Sequence, residues 1–221
     1  MSRHSTLVLT ILLLSSPTPA FCKGTNDFFS YQKGVRVQLL KNLREALRTN
    51  YSLWYLKKKK IKGFNPAKHF QNAIEKEQEI IDPPDKVQRA KLNIRYLDRL
   101  TKLLASFQDT HLKLKAFVSR PFIFNGIRVA EINGKFYVVA LNKQIMEYNQ
   151  KSLKKYNFHH LSLGDEVVSI DRKPIEDKIN WLSSFVSSSS SLAKRRGATT
   201  ALGYRNFSYP IRNHNILTFR S

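Results

Sequence analysis

An α+β fold is predicted by two features of this 221-residue sequence. Apolar residues recur at helical spacing as far as Phe107, and after His111 the period falls to two, with an Asn-Gly turn pair dividing the clearest strand-forming run. A hydrophobic content of 42% supports a packed core in a chain of this length, which excludes a disordered protein.

The first residues set the compartment. Arg3 and His4 precede an apolar run over residues 7–14, and small residues and helix breakers fill 15–20, the pattern of a secretory signal peptide over residues 1–22. That run is far shorter than the roughly 20 residues a bilayer-spanning helix needs, so it reads as a cleaved leader rather than an anchor. Cleavage before Lys23 has Ala20 and Cys22 at the small-residue positions; cleavage after Thr18-Pro19-Ala20 is the alternative. A lipid-modified Cys22 fits badly with Pro19 and Phe21 beside it. Cys22 is the only cysteine, so its removal leaves a chain with no disulfide and no thiolate. The reading is an exported protein, periplasmic or secreted.

Residues 23–111 read as a helical region. Val35, Leu39, Leu40, Leu43 and Leu47, continued by Leu53, Trp54, Tyr55 and Leu56, predict one amphipathic helix ahead of the lysine run 57–60. Asn65-Pro66 supplies a cap and a first helical residue, with Phe70, Ala73, Ile74 and Ile81 as its apolar stripe and Pro83-Pro84 as its stop. Asp85 with Gln88 resembles a capping box for a helix whose inner face is Val87, Ala90, Ile94, Leu97, Leu100, Leu104 and Phe107.

Residues 112–221 read as a sheet-based domain. Leu112, Leu114, Ala116 and Val118 alternate as in a strand. Segments 127–132 and 135–140 flank Asn133-Gly134, the pair that tolerates the positive φ angles of a two-residue hairpin. Further strands are expected at 166–170 and 216–219, a helix at 175–185, and a helical or serine-rich insertion around 181–205 with a flexible loop at 187–191.

The most specific string is Leu163-Gly164-Asp165-Glu166-Val167-Val168-Ser169-Ile170-Asp171-Arg172-Lys173-Pro174-Ile175. Gly164 permits a tight turn, Val167 and Ile170 pack inward, and Asp171 begins a reversal. The string resembles the PDZ signature, which implies a small barrel-like sheet with a docking helix led by Ile175. Arg172 departs from the pattern, since the family places glycine at that left-handed position. By the same resemblance, Phe124, Asn125, Gly126 and Ile127 stand where PDZ domains accept a peptide carboxylate, which implies binding of peptide or protein C-termini by strand addition.

Phe107-Gln108-Asp109-Thr110-His111 closes the helical half. With the signal, the helices and the PDZ-like segment in this order, the chain resembles the C-terminal-processing, or tail-specific, serine protease family. That resemblance implies that His111 is the general base and Asp109 its acidic neighbour, with the nucleophilic serine in a later domain. No such domain follows within these residues, so the expectation is a chain inactive alone, served by a separate catalytic domain in trans. The alternative is a non-catalytic adaptor for exported peptides or anionic envelope components.

Other signals point to blander roles. Ser191-Leu192-Ala193-Lys194 has the Ser-x-x-Lys spacing of penicillin-recognising enzymes, but their companion motifs are absent and a serine run before lysines produces the match by chance. His159-His160 would face opposite sides of a strand and lacks a third ligand at suitable spacing, so neither a metal nor any other cofactor is expected. The net charge of +22 favours anionic partners, and an anionic envelope surface suits an exported chain better than nucleic acid does.

Overall fold

The computed structural model describes residues 31–112, 114, 123, 124, 126–147, 161–170, 172–205 and 217–220. Residues 1–22, expected to be a signal peptide, residues 115–118 of the alternating segment, Asn125, His159-His160 and Asp171 lie outside them. The fold is α+β, and the chain divides into two compact units, Met1–Ser119 and Arg120–Ser221.

The first unit is helical: α1 Lys33–Asn50, α2 Trp54–Lys60, α3 Pro66–Glu79 and α4 Lys86–Ala105. Where one helix was expected over residues 35–56, the chain breaks at Tyr51, whose backbone is extended while its N–H still bonds the Leu47 carbonyl. The spacing hides this break, because Leu47 and Trp54 are seven residues apart and stay in phase across two turns. The other helix starts are as the caps predict. Asn65 accepts the Lys68 N–H, Pro66 opens α3, and Asp85 accepts the Gln88 N–H at 2.8 Å.

Leu40, Leu43, Leu47, Trp54, Phe64, Phe70, Ile74, Tyr96, Leu100, Leu104 and Phe107 form the core of this unit. Val35, Ile81 and Val87 do not join it. Ile81, 85% exposed, lies past the end of α3, and Val87 occupies the solvent side of the first turn of α4. Leu112 and Leu114, expected to open a strand, have irregular backbone and pack against the helical core.

Asp98 on α4 is half-buried, and burial pushes its carboxyl up to about 6 against the pull of Lys102 and Arg99. A folded-state value above the unfolded value of about 3.9 means that this group costs stability as pH rises through about 4 to 6. Asp98→Asn removes that cost. The variant is expected to match the parent chain near pH 4 and to exceed it by about 2 kcal/mol at pH 7 in urea denaturation, after allowance for partial solvation. An advantage that does not change with pH would refute this assignment.

The second unit is built on a sheet. β1 Ile123–Phe124 pairs with β6 Tyr204–Arg205. β2 Ile127–Ile132, β3 Lys135–Leu141, β4 Glu166–Ile170 and β5 Lys173–Pro174 run in that order, and β7 Leu217–Arg220 pairs with β4. All these pairings are antiparallel. Asn133 and Gly134 close the β2–β3 hairpin with φ angles of 51° and 78°, as the turn chemistry predicts. The segment around Gly164 and the end of the chain thus share one sheet, with Glu166 opposite Arg220 and Ile170 opposite Leu217.

Two helices cover this sheet, α5 Ile175–Ser183 and α6 Ser191–Ala201. Ile175, Ile179 and Leu182 of α5 join Ala198 and Ala201 of α6 over Ile127, Val129, Val138, Val167 and Ile170. The serine run is partly capping structure: Ser190 caps α6 by accepting the Ala193 N–H, and Ser188 is buried and accepts the Ser190 N–H. Serine at 188 and 190 is therefore explained by helix initiation.

Candidate functional site

In the helical unit, α4 ends at Ala105 and Phe107 drops into the core. Gln108 then adopts a left-handed φ of 52°, which turns the chain into Asp109. Asp109 is 7% exposed. Its Oδ1 accepts the backbone N–H of His111 at 2.9 Å and lies 2.9 Å from His111 Nδ1, while its Oδ2 accepts the Tyr51 hydroxyl at 2.5 Å. Lys57 of α2 donates to the Gln108 carbonyl at 3.2 Å. The two positions that sequence reasoning selected, 109 and 111, are in direct contact.

Burial alone would raise the Asp109 pKa, but hydrogen bonds from Tyr51 and from His111, with the nearby Lys57 charge, hold it below the usual carboxylate range. Burial, together with the bond to Asp109, pushes the Tyr51 hydroxyl well above its ordinary value, so it stays a donor. An ionised carboxylate can only accept, which assigns the proton between the two side chains to His111 Nδ1. In the neutral ring Nε2 then carries the lone pair. The His111 side chain is 64% exposed while the Asp109 carboxylate it contacts is 7% exposed, so the ring meets solvent above a buried partner. Among the described residues no hydroxyl nucleophile is bonded to the ring.

Tyr51 and Lys57 were missed by sequence reasoning. Tyr51 is 58 residues from Asp109, and nothing in local spacing marks it.

In the sheet unit, of the residues expected to accept a peptide carboxylate, Ile127 is 1% exposed and serves the core. Gly126 has a φ of 84°, and a Cβ there would come within 2.6 Å of Met146 Cγ, so the position needs glycine. Its carbonyl accepts the Asn142 N–H at 2.7 Å. Phe124 pairs in β1 opposite Tyr204 of β6. Among the described residues β2 pairs with β3 alone, which leaves its second edge without a strand.

α6 is tied to β2 by Arg195, whose Nε donates to Glu131 Oε2 at 2.5 Å while its two terminal nitrogens bond Glu176 of α5. The turn motif behaves as its residue types require. Leu163 is exposed, Gly164 has a φ of 92°, Asp165 accepts the Ser162 N–H at 2.8 Å, and Ile170 is buried. Arg172 occupies the left-handed position without glycine, at a φ of 64°. Among the described residues no His, Cys, Asp and Glu side chains group as a metal site would require.

No protein-family model matches this chain, and no curated protein matches it by sequence. Solved structures do match. Mature CPAF, the chlamydial protease-like activity factor, in complex with lactacystin aligns with a TM-score of 0.65 at 17% identity over 86% of this chain. A second crystal structure of mature CPAF aligns with a TM-score of 0.63 at 18% identity over 85% of it.

This chain shares its fold with part of CPAF. The match covers 32% of each CPAF chain, so about a third of CPAF has a counterpart here.

Proposed function

We propose that this chain is the exported front part of a CPAF-like serine endopeptidase, in which His111 is the general base and the outer edge of β2 holds an extended peptide. The observation that carries the reading is the buried Asp109 carboxylate holding Nδ1 of an exposed His111. A serine supplied from outside these residues would give its proton to Nε2 as its oxygen attacks the peptide carbonyl. The imidazolium formed is stabilised by Asp109, and Nε2 returns the proton to the leaving amine. The second edge of β2, on which no strand pairs among the described residues, supports the binding half of the proposal, since strand addition takes place at a sheet edge.

The test is co-expression with an adjacent reading frame that encodes a serine-bearing domain of this kind, assayed on an unstructured polypeptide. Hydrolysis that appears only with both chains and disappears in His111→Ala is the expected result. Activity that survives His111→Ala, or none from the pair, would leave peptide capture as the role of the chain. Selection from a library of C-terminal peptides tests that role separately.

A further inference from the structure

Tyr51 sits in the break between α1 and α2, and its hydroxyl reaches the Asp109 oxygen that His111 does not use. We propose that Tyr51 is a positioning residue for His111: by fixing Asp109 Oδ2 it sets the carboxylate plane, and that plane sets the tautomer and tilt of the imidazole. The role rests on His111 acting as a base, but the geometry can be read without any catalysis.

The argument is one of satisfied acceptors. A carboxylate held only through Oδ1 can rotate about its bond to Cβ, and an exposed ring attached to it rotates too. With Tyr51 on Oδ2 and the His111 backbone N–H on Oδ1, both oxygens are pinned before the ring is considered. The ring nitrogen then meets an acceptor of fixed direction. Tyr51 is itself held by an edge-on contact with Phe107, ring centroids 5.9 Å apart at 74°. Its backbone N–H, bonded to Leu47, fixes it to the end of α1. The helix break is therefore what brings a hydroxyl from the first helix to a turn 58 residues later in the chain.

Nitrogen-15 spectra of the imidazoles in the full chain provide the test, with His111 assigned by its loss in His111→Gln. In the parent chain, neutral His111 is expected to be the Nδ1–H tautomer; a dominant Nε2–H form would overturn the proposal at once. Tyr51→Phe keeps the ring and its packing and removes only the hydroxyl. In that variant the Nδ1–H form is expected to fall to a mixture with Nε2–H while the backbone amide spectrum stays native. An unchanged tautomer in folded Tyr51→Phe would sink the idea. In an active assembly the same variant should lower kcat and leave KM nearly unchanged, whereas failure of the catalytic reading itself would show as activity retained in His111→Ala.

Discussion

Phe107→Ala is expected to cost the helical unit about 3–5 kcal/mol, the range for removing a large aromatic side chain from a closed core. Phe107 is 0% exposed. Its ring centroid lies 5.1 Å from that of Phe64, 5.7 Å from Trp54, 5.9 Å from Tyr51 and 6.3 Å from Phe70. Four rings from three parts of the chain therefore meet on one side chain, and no single neighbour can move in to fill the space without abandoning another contact.

The same substitution should disturb His111. Phe107 is the last core residue before the left-handed Gln108, and it also supports Tyr51, so its loss loosens both ends of the Tyr51–Asp109–His111 chain. Urea denaturation followed by Trp54 fluorescence, in a Trp181→Phe background that isolates the helical unit, measures the cost. Phe107→Leu keeps most of the volume and should lose less. A Phe107→Ala penalty below about 1 kcal/mol would mean that the cluster collapses freely, contrary to the packing described.

The parts of this fold legible in the sequence are those whose cause is local. The Asn65 and Asp85 caps, the Asn133-Gly134 hairpin and the Gly164 turn each depend on residues within four positions of one another, and each formed as its residue types require. Asp109 and His111 were singled out by the family resemblance alone; their contact, two residues apart, is nevertheless local. What was not legible depends on partners remote in sequence. Tyr51 looks like one more apolar residue in a helix until Asp109 is placed beside it. Arg36, between Val35 and Val37, looks like a solvent-facing charge. Helical spacing identifies an apolar face but cannot reveal that the neighbouring position turns into a polar seam between helices.

That seam supplies the other large expected effect. Arg36 is 0% exposed, and its guanidinium bonds in four directions: Nε to Glu77 at 2.6 Å, one terminal nitrogen to the Tyr31 carbonyl at 2.6 Å and to Asn93 at 3.1 Å, the other to Asp82 at 2.6 Å. Burial would lower its pKa, but the bonds and charges of Glu77 and Asp82 outweigh that and raise it, so Arg36 stays charged. Glu77 is buried as well, and its second oxygen accepts from Arg99, a half-exposed residue of α4. The cluster joins α1, α3, the segment after α3 and α4 through a single planar cation.

Arg36→Met is expected to destabilise the helical unit by about 3–5 kcal/mol, because it leaves the buried Glu77 carboxylate with Arg99 alone and takes a charged partner from Asp82 and a donor from Asn93. Arg36→Lys should rescue little of this, since one ammonium cannot reach all four acceptors in their plane. Glu77→Met alone should also be costly, for it leaves the guanidinium buried and partly unpaired. The deciding measurement is the double variant. An apolar pair of similar volume often replaces a buried ion pair at little cost, so Arg36→Met/Glu77→Met should be less destabilised than the sum of its singles by about 1–3 kcal/mol. If the two single costs simply add, the attraction between these side chains contributes nothing of its own, and the seam is held by the apolar contacts around it.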